Sequence, residues 1–179
     1  KYKKMIKFVY QNVPKGTGDA VLKTKRFITD KYFLMLLPDD LIIKKNCSKS
    51  MINVHQKYKS SVMASMQVNK STVSRWGIYN LSKRLSKSDY LISDVVEKPS
   101  IKDAPSNKAV IGRYILPKTI FKKLKNQNSG NGGEIHITDA IQSLIKDNEN
   151  FIAHNFSGKY LDCGTMNGYI NSGKKISNL

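Results

Sequence analysis

The segment Tyr32-Phe33-Leu34-Met35-Leu36-Leu37, stopped abruptly by Pro38-Asp39-Asp40, limits the folds open to this chain more than any other stretch. Six consecutive apolar residues of this length and aromatic content predict a strand buried on both faces, the kind found inside parallel sheets. Asp39 and Asp40 then stand at the carboxyl end of a strand, where ligands bind in open α/β sheets.

The neighbouring segments extend that reading. Phe8-Val9-Tyr10 reads as a strand end, followed by a turn at Pro14-Lys15-Gly16 and a helix from about Asp19 to Phe27. Met51, Ile52, Val54, His55 and Tyr58 fit one helical face, and Ser61 to Val68 alternates like a strand. Strand, helix, strand, helix, strand is a βαβ pattern. Short strand candidates at Ile78-Tyr79 and Tyr90 to Val96 follow, then a strand from Ala109 to Leu116 and a helix from Thr119 to Leu124. A loop at Ser129 to Gly133 leads to a helix capped near Thr138 or Asp139 and running to about Lys146. Phe151 to Phe156 reads as a strand, Leu161-Asp162-Cys163-Gly164 as a turn, and the remainder as a last short helix. With 179 residues, 40% of them hydrophobic, the chain supports one core, so residues 1–179 are expected to form a single domain or one piece of a larger one. The opening run from Lys1, which is not Met, reads as a chain entered part-way.

The formal charge of +18, from 31 basic and 13 acidic residues, is the usual footprint of a phosphate-rich partner. Only Arg26, Arg75, Arg84 and Arg113 are arginines, however, and the lysines are spread along the whole chain. Bidentate base reading favours Arg, so no specific nucleic-acid partner is expected. Cys47 and Cys163 show no paired spacing, which argues against a disulfide framework or a zinc site and fits a reduced, cytoplasmic setting. His55, His136 and His154 show no metal-ligand spacing, and no Gly-x-Ser-x-Gly elbow is present. No apolar run is long enough to span a bilayer, so no membrane partner is expected.

Local chemistry narrows the candidates. Asp39 suits a hard cation, since Mg²⁺ takes one or two carboxylates plus substrate phosphates, while a Pro-Asp-Asp turn that merely caps the next segment is the bland alternative. Asp162 sits in a second such turn and would supply another carboxylate if the fold joins the two strand ends. Glu97-Lys98-Pro99 ends a strand with a hydroxyl acceptor beside a phosphate partner, or is a solvated surface pair. Gly130 to Gly133 lacks the Lys-Ser or Lys-Thr of a phosphate-binding P-loop.

Taken in order, five groups of segments resemble the bacterial UTP-glucose-1-phosphate uridylyltransferase (UDP-glucose pyrophosphorylase) family. These are Phe8 to Gln11 with Pro14 to Leu22; Leu36 to Asp40; Ser74 to Ile78; Val95 to Pro99 with Ala104 to Asn107 and Ile111 to Leu116; and Gly132 to Ile141 with Tyr160 to Thr165. The resemblance implies a Rossmann-like α/β fold, with a mixed, mostly parallel sheet flanked by helices and lacking its first βα unit. It implies that Gln11 and the backbone at Gly16 hold the uracil, that Asp39 and Asp162 hold Mg²⁺, that Gly77, Glu97 and Val110 line the sugar, and that Lys98 meets its phosphate. UTP and glucose 1-phosphate are then the substrates, joined by in-line attack on the α-phosphorus with pyrophosphate leaving, and a homo-oligomer is compatible with this reading.

The chain departs from the family pattern at Thr17, Asp19 and Trp76, where Leu, His and Tyr are usual. The Gly-rich triphosphate loop of such enzymes would fall upstream of Lys1, so these 179 residues alone are expected to be inactive or nearly so. A sister sugar-1-phosphate nucleotidylyltransferase, such as a thymidylyltransferase, and a non-enzymatic basic nucleic-acid-binding domain remain the alternatives.

Overall fold

A computed structural model describes residues 5–130 and 133–178, so the first four residues, Gly132 of the resemblance motif and part of the Gly-rich loop lie outside it. The centre of the molecule is a six-stranded mixed sheet in the order β1-β6-β3-β7-β5-β4, formed by β1 (Tyr32–Leu36), β3 (Ser61–Gln67), β4 (Gly77–Arg84), β5 (Asp89–Glu97), β6 (Lys108–Pro117) and β7 (Phe151–Asn155). Helices cover both faces. On one side α1 (Thr17–Lys23), α3 (Ile120–Asn126) and α4 (Ile137–Lys146) bury Val21, Phe121, Leu124, Ile141 and Leu144 against Met63, Tyr114 and Phe151. On the other, α2 (Cys47–Tyr58) lays Met51 and Val54 on Val62, Ile111, Ile115 and Ile152. Successive residues of β3, β6 and β7 thus enter opposite cores, so β3, which reads as alternating in the sequence, is buried on both faces along its first five residues, and β6 and β7 are apolar nearly throughout.

Four expectations need correction. Parallel pairing occurs between β3 and β7 alone among the described residues; the other pairings are antiparallel, so the sheet is mixed as expected but not mostly parallel. The sequence order suggested a βαβ unit from β1 to β3, but β6 runs between them and pairs antiparallel with both. β1 is therefore an edge strand, and Leu34 and Leu36 are 37% and 50% exposed rather than buried on both faces. An apolar run reports hydrophobicity, not which neighbour covers it. Phe8-Val9-Tyr10, read as a strand end, forms no ladder, and Phe8 and Tyr10 are 79% and 83% exposed.

Elsewhere most boundaries shift by a residue or two, but the helix expected from Asp19 to Phe27 gives way after Lys23 to a 3₁₀ turn at Lys25–Phe27, the strand expected at Ile78-Tyr79 extends to Arg84, and the turn expected at Leu161–Gly164 begins within a strand, Lys159–Asp162. α2 is capped at its start by Asn46, whose side chain accepts from the Lys49 N–H at 2.9 Å, and at its end by Lys59 in the left-handed region (φ 54°). A buried relay ties it to the sheet: the Ser50 hydroxyl meets His154 Nε2 at 2.5 Å and Asp89 meets His154 Nδ1 at 2.7 Å. Although Ser, His and Asp are aligned, the Ser50 N–H donates to Asn46 O inside α2 and offers nothing to an oxyanion. α4 starts after His136, two residues before the expected cap. α5 (Met166–Ser177) is capped by Thr165, whose hydroxyl accepts from Gly168 N–H at 3.1 Å.

Candidate active site

A second, two-stranded sheet assembles the acidic end of the site. β2 (Asp40–Ile43) pairs antiparallel with β8 (Lys159–Asp162), setting Asp40 opposite Asp162, and the Cys163 N–H continues the contact to Asp39 O at 2.8 Å. The two adjacent aspartates take different partners. Asp40 accepts from the buried Gly112 N–H at 2.6 Å and from the Tyr160 hydroxyl. Burial pushes its carboxyl up from the ordinary value of 3.8, while those two bonds and Arg113 oppose the rise and the charge of Asp39 adds to it.

Asp39 is exposed and turns towards Gly164. A Cβ placed on Gly164 would lie 2.9 Å from Asp39 Oδ2 and 3.5 Å from Asp162 Oδ1, so the missing side chain keeps open a space bordered by both carboxylates. Asp162 is oriented by the Gly164 N–H at 3.0 Å and by Arg75 Nη2 at 3.1 Å. Among the described residues no three His, Cys, Asp or Glu converge, so no all-protein metal cage exists. Two carboxylates flanking an open space fit Mg²⁺, which completes its shell with water and phosphate oxygens.

The next wall is built where β4 and β5 begin and end. Gly77 lies opposite Glu97, and a Cβ on Gly77 would stand 3.1 Å from both Glu97 Oε2 and Val110 Cγ2. Thr138, in the first turn of α4, donates its hydroxyl to Glu97 Oε2 at 2.9 Å and fixes that carboxylate. Lys98 follows in the left-handed region (φ 46°), its N–H bonded to Trp76 O at 3.0 Å and its side chain exposed. The Tyr114 phenol is buried, and burial first, then the negative fields of Asp40, Glu97 and Asp39, push it above its ordinary value of 10.0.

At the other end of the chain Gly16 adopts φ 93° and its Cβ would collide with Ile135 O at 2.8 Å, so only glycine fits before α1. Ile135 clamps this turn, donating to Lys15 O at 2.8 Å and accepting from Gly18 N–H at 2.7 Å. The Gln11 carboxamide donates to Gly16 O at 3.2 Å and to Asp19 Oδ2 at 2.7 Å.

The structure thus gathers the candidates into three groups: Gln11 with Gly16; Gly77, Glu97 and Val110 with Lys98 following; and Asp39 with Asp162. Sequence reasoning missed Thr138 as the partner of Glu97, having read it as a cap, and named Gly164 and Arg75 within motifs without their contacts to Asp162. The contacts of Thr138 and Arg75 depend on long-range proximity, for which no local spacing is a signal, whereas Gly164 reaches Asp162 within its own turn.

Comparison with known proteins supplies a family. The model of the nucleotidyl transferase family matches residues 1–178. The chain belongs to that family. It is 38% identical over 166 residues to the UTP–glucose-1-phosphate uridylyltransferase of Pseudomonas aeruginosa, covering 91% of this chain and 59% of the relative. To UTP–glucose-1-phosphate uridylyltransferase 2 of Streptococcus pyogenes serotype M1 it is 38% identical over 168 residues, 91% of this chain and 56% of that one. A crystal structure of UDP-glucose pyrophosphorylase complexed with UDP-glucose is similar with a TM-score of 0.91 and 39% identity, over 96% of this chain and 66% of that one. The chain thus spans under three fifths of the length of the two curated relatives, and, among its described residues, no helix is long and apolar enough to cross a membrane.

Proposed function

We propose that the protein carrying this chain is a UTP-glucose-1-phosphate uridylyltransferase. It takes UTP and glucose 1-phosphate to UDP-glucose and pyrophosphate. The observation that carries the reading is the likeness, across 96% of the chain, to a pyrophosphorylase that holds UDP-glucose. Gln11 and the Gly16 backbone take the uracil, Gly77, Glu97 and Val110 line the glucose, and Lys98 meets the sugar phosphate. Asp39 and Asp162 hold Mg²⁺, which when bound neutralises phosphate charge.

In this mechanism an oxygen of glucose 1-phosphate forms the new bond to the α-phosphorus of UTP as the bond to pyrophosphate breaks. No covalent intermediate with the protein is required, and the chain's residues act by positioning and by charge. Glu97, held by Thr138 at 2.9 Å, accepts from sugar hydroxyls. The Lys98 ammonium lowers the repulsion between two anionic substrates. The free cysteines fit a reduced, cytoplasmic location.

Pyrophosphate release by the complete protein with UTP, glucose 1-phosphate and Mg²⁺ tests the reading, with dTTP as competitor. Turnover is expected with UTP, and Lys98→Ala is expected to raise the KM for the sugar phosphate and to cut turnover. Preference for dTTP, or unchanged kinetics in Lys98→Ala, would overturn the assignment.

A further inference from the structure

The two ends of the Gln11 carboxamide have opposite hydrogen-bonding character, and an unrestrained side chain could turn either one to a ligand. Here both neighbours are acceptors. Asp19 Oδ2 lies 2.7 Å and Gly16 O 3.2 Å from Gln11 Nε2. A carboxylate only accepts, so rotating the amide would set Oε1 against an anionic oxygen. The two N–H groups are therefore directed at protein acceptors, and Oε1 is left as the outward group.

Asp19 is itself held in place. It is 6% exposed, it sits in the first turn of α1, and its second oxygen lies 3.4 Å from Lys23 Nζ. The Gln11 bond, followed by the nearby lysines, lowers its pKa from 3.8 against the opposing effect of burial, so it stays charged at neutral pH. A cavity of about 280 Å³ opens beside it, with Tyr10, Asn12, Lys15 and Lys23 in its lining.

We propose that Asp19 is a positioning residue for base selection: by fixing the Gln11 carboxamide with its carbonyl outward, it makes the site require a ring N–H donor. Uracil presents N3–H to such an acceptor. Cytosine presents a bare N3, and two acceptors face each other without a proton between them. This inference rests on the reading that Gln11 faces the base, and it gives a task to the carboxylate that departs from the family's His.

Calorimetric titration of the complete protein with UDP-glucose and CDP-glucose tests it. The wild type is expected to favour UDP-glucose by roughly 10- to 100-fold, the range for leaving a buried hydrogen-bonding group unmatched. Asp19→Asn offers Gln11 either an N–H or a carbonyl, and is expected to lower that ratio about tenfold, chiefly through tighter CDP-glucose binding. Equal weakening of both ligands would mark a merely structural role and overturn the proposal. An unchanged ratio in Asp19→Asn would also overturn it, while leaving the nucleotide site standing. If the wild type binds neither ligand, the base-site reading fails and the inference falls with it. Asp19→Ala provides a second variant; the near-isosteric Asp19→Asn decides where that one misfolds.

Discussion

Asp40 separates a structural carboxylate from its chemically poised neighbour, and truncating it exposes the difference. Asp40→Ala removes the acceptor of the buried Gly112 N–H, 2.6 Å away, and of the Tyr160 hydroxyl. Stranding a buried backbone donor costs about 1–3 kcal/mol, and losing the bond to the half-buried phenol adds roughly 0.5–1.5 kcal/mol. The expected loss is about 2–4 kcal/mol. Asp40→Asn keeps both contacts, since its carbonyl can accept from Gly112 while its amide donates to the Tyr160 oxygen, and is expected within about 1 kcal/mol of wild type at pH 7. Urea unfolding read by Trp76 fluorescence measures both, because this single tryptophan packs edge-on against Tyr160 at 5.8 Å. The folded-state pKa of Asp40 is raised above 3.8, so its contribution is fully present below 3.8 and declines as pH rises through the folded value. Asp40→Asn should abolish that decline. An Asp40→Ala variant as stable as wild type would refute the reasoning, as would an Asp40→Asn variant that loses stability like Asp40→Ala.

Gly77→Ala sets a methyl 3.1 Å from Glu97 Oε2 and Val110 Cγ2 and should weaken UDP-glucose binding about tenfold by titration, with little change in unfolding midpoint. Gly164→Ala places its methyl 2.9 Å from Asp39 Oδ2, and the Mg²⁺ concentration needed for half-maximal UDP-glucose binding should rise, on the order of tenfold. Phe121→Ala empties a site 1% exposed and stacked on Phe33 at 5.4 Å, and should cost about 3–5 kcal/mol in urea unfolding.

Most elements were legible because their signals are local. Met51, Val54 and Tyr58 recur at helical spacing, and Gly16 marks where α1 can begin. What was not legible depends on partners. Nothing local distinguishes Tyr32–Leu36, which takes an edge, from Phe151–Asn155, which takes the centre with both faces covered. β2 and β8 are four residues each, and each is a strand only because the other lies opposite. The site shows the same division: ordered motifs nominated Asp39, Asp162, Glu97 and Gly77, whereas the contacts of Thr138 with Glu97 and of Arg75 with Asp162 span 41 and 87 residues and leave no local pattern.

The short β2–β8 pair explains how two consecutive aspartates come to differ. Asp40, at the first paired position, meets two donors fixed by other elements, Gly112 from β6 and Tyr160 from β8. Those bonds offset the penalty of its burial and anchor the small sheet to the large one. With Asp40 held, Asp39 is left on the exposed side of the turn, its carbonyl tied to Cys163 and its carboxylate facing the space beside Gly164. Asp162 is drawn to the same space by the register that sets it opposite Asp40. One carboxylate is spent on architecture so that two others converge where no third such ligand lies among the described residues, an arrangement that leaves room for phosphate oxygens in the coordination of a hard cation.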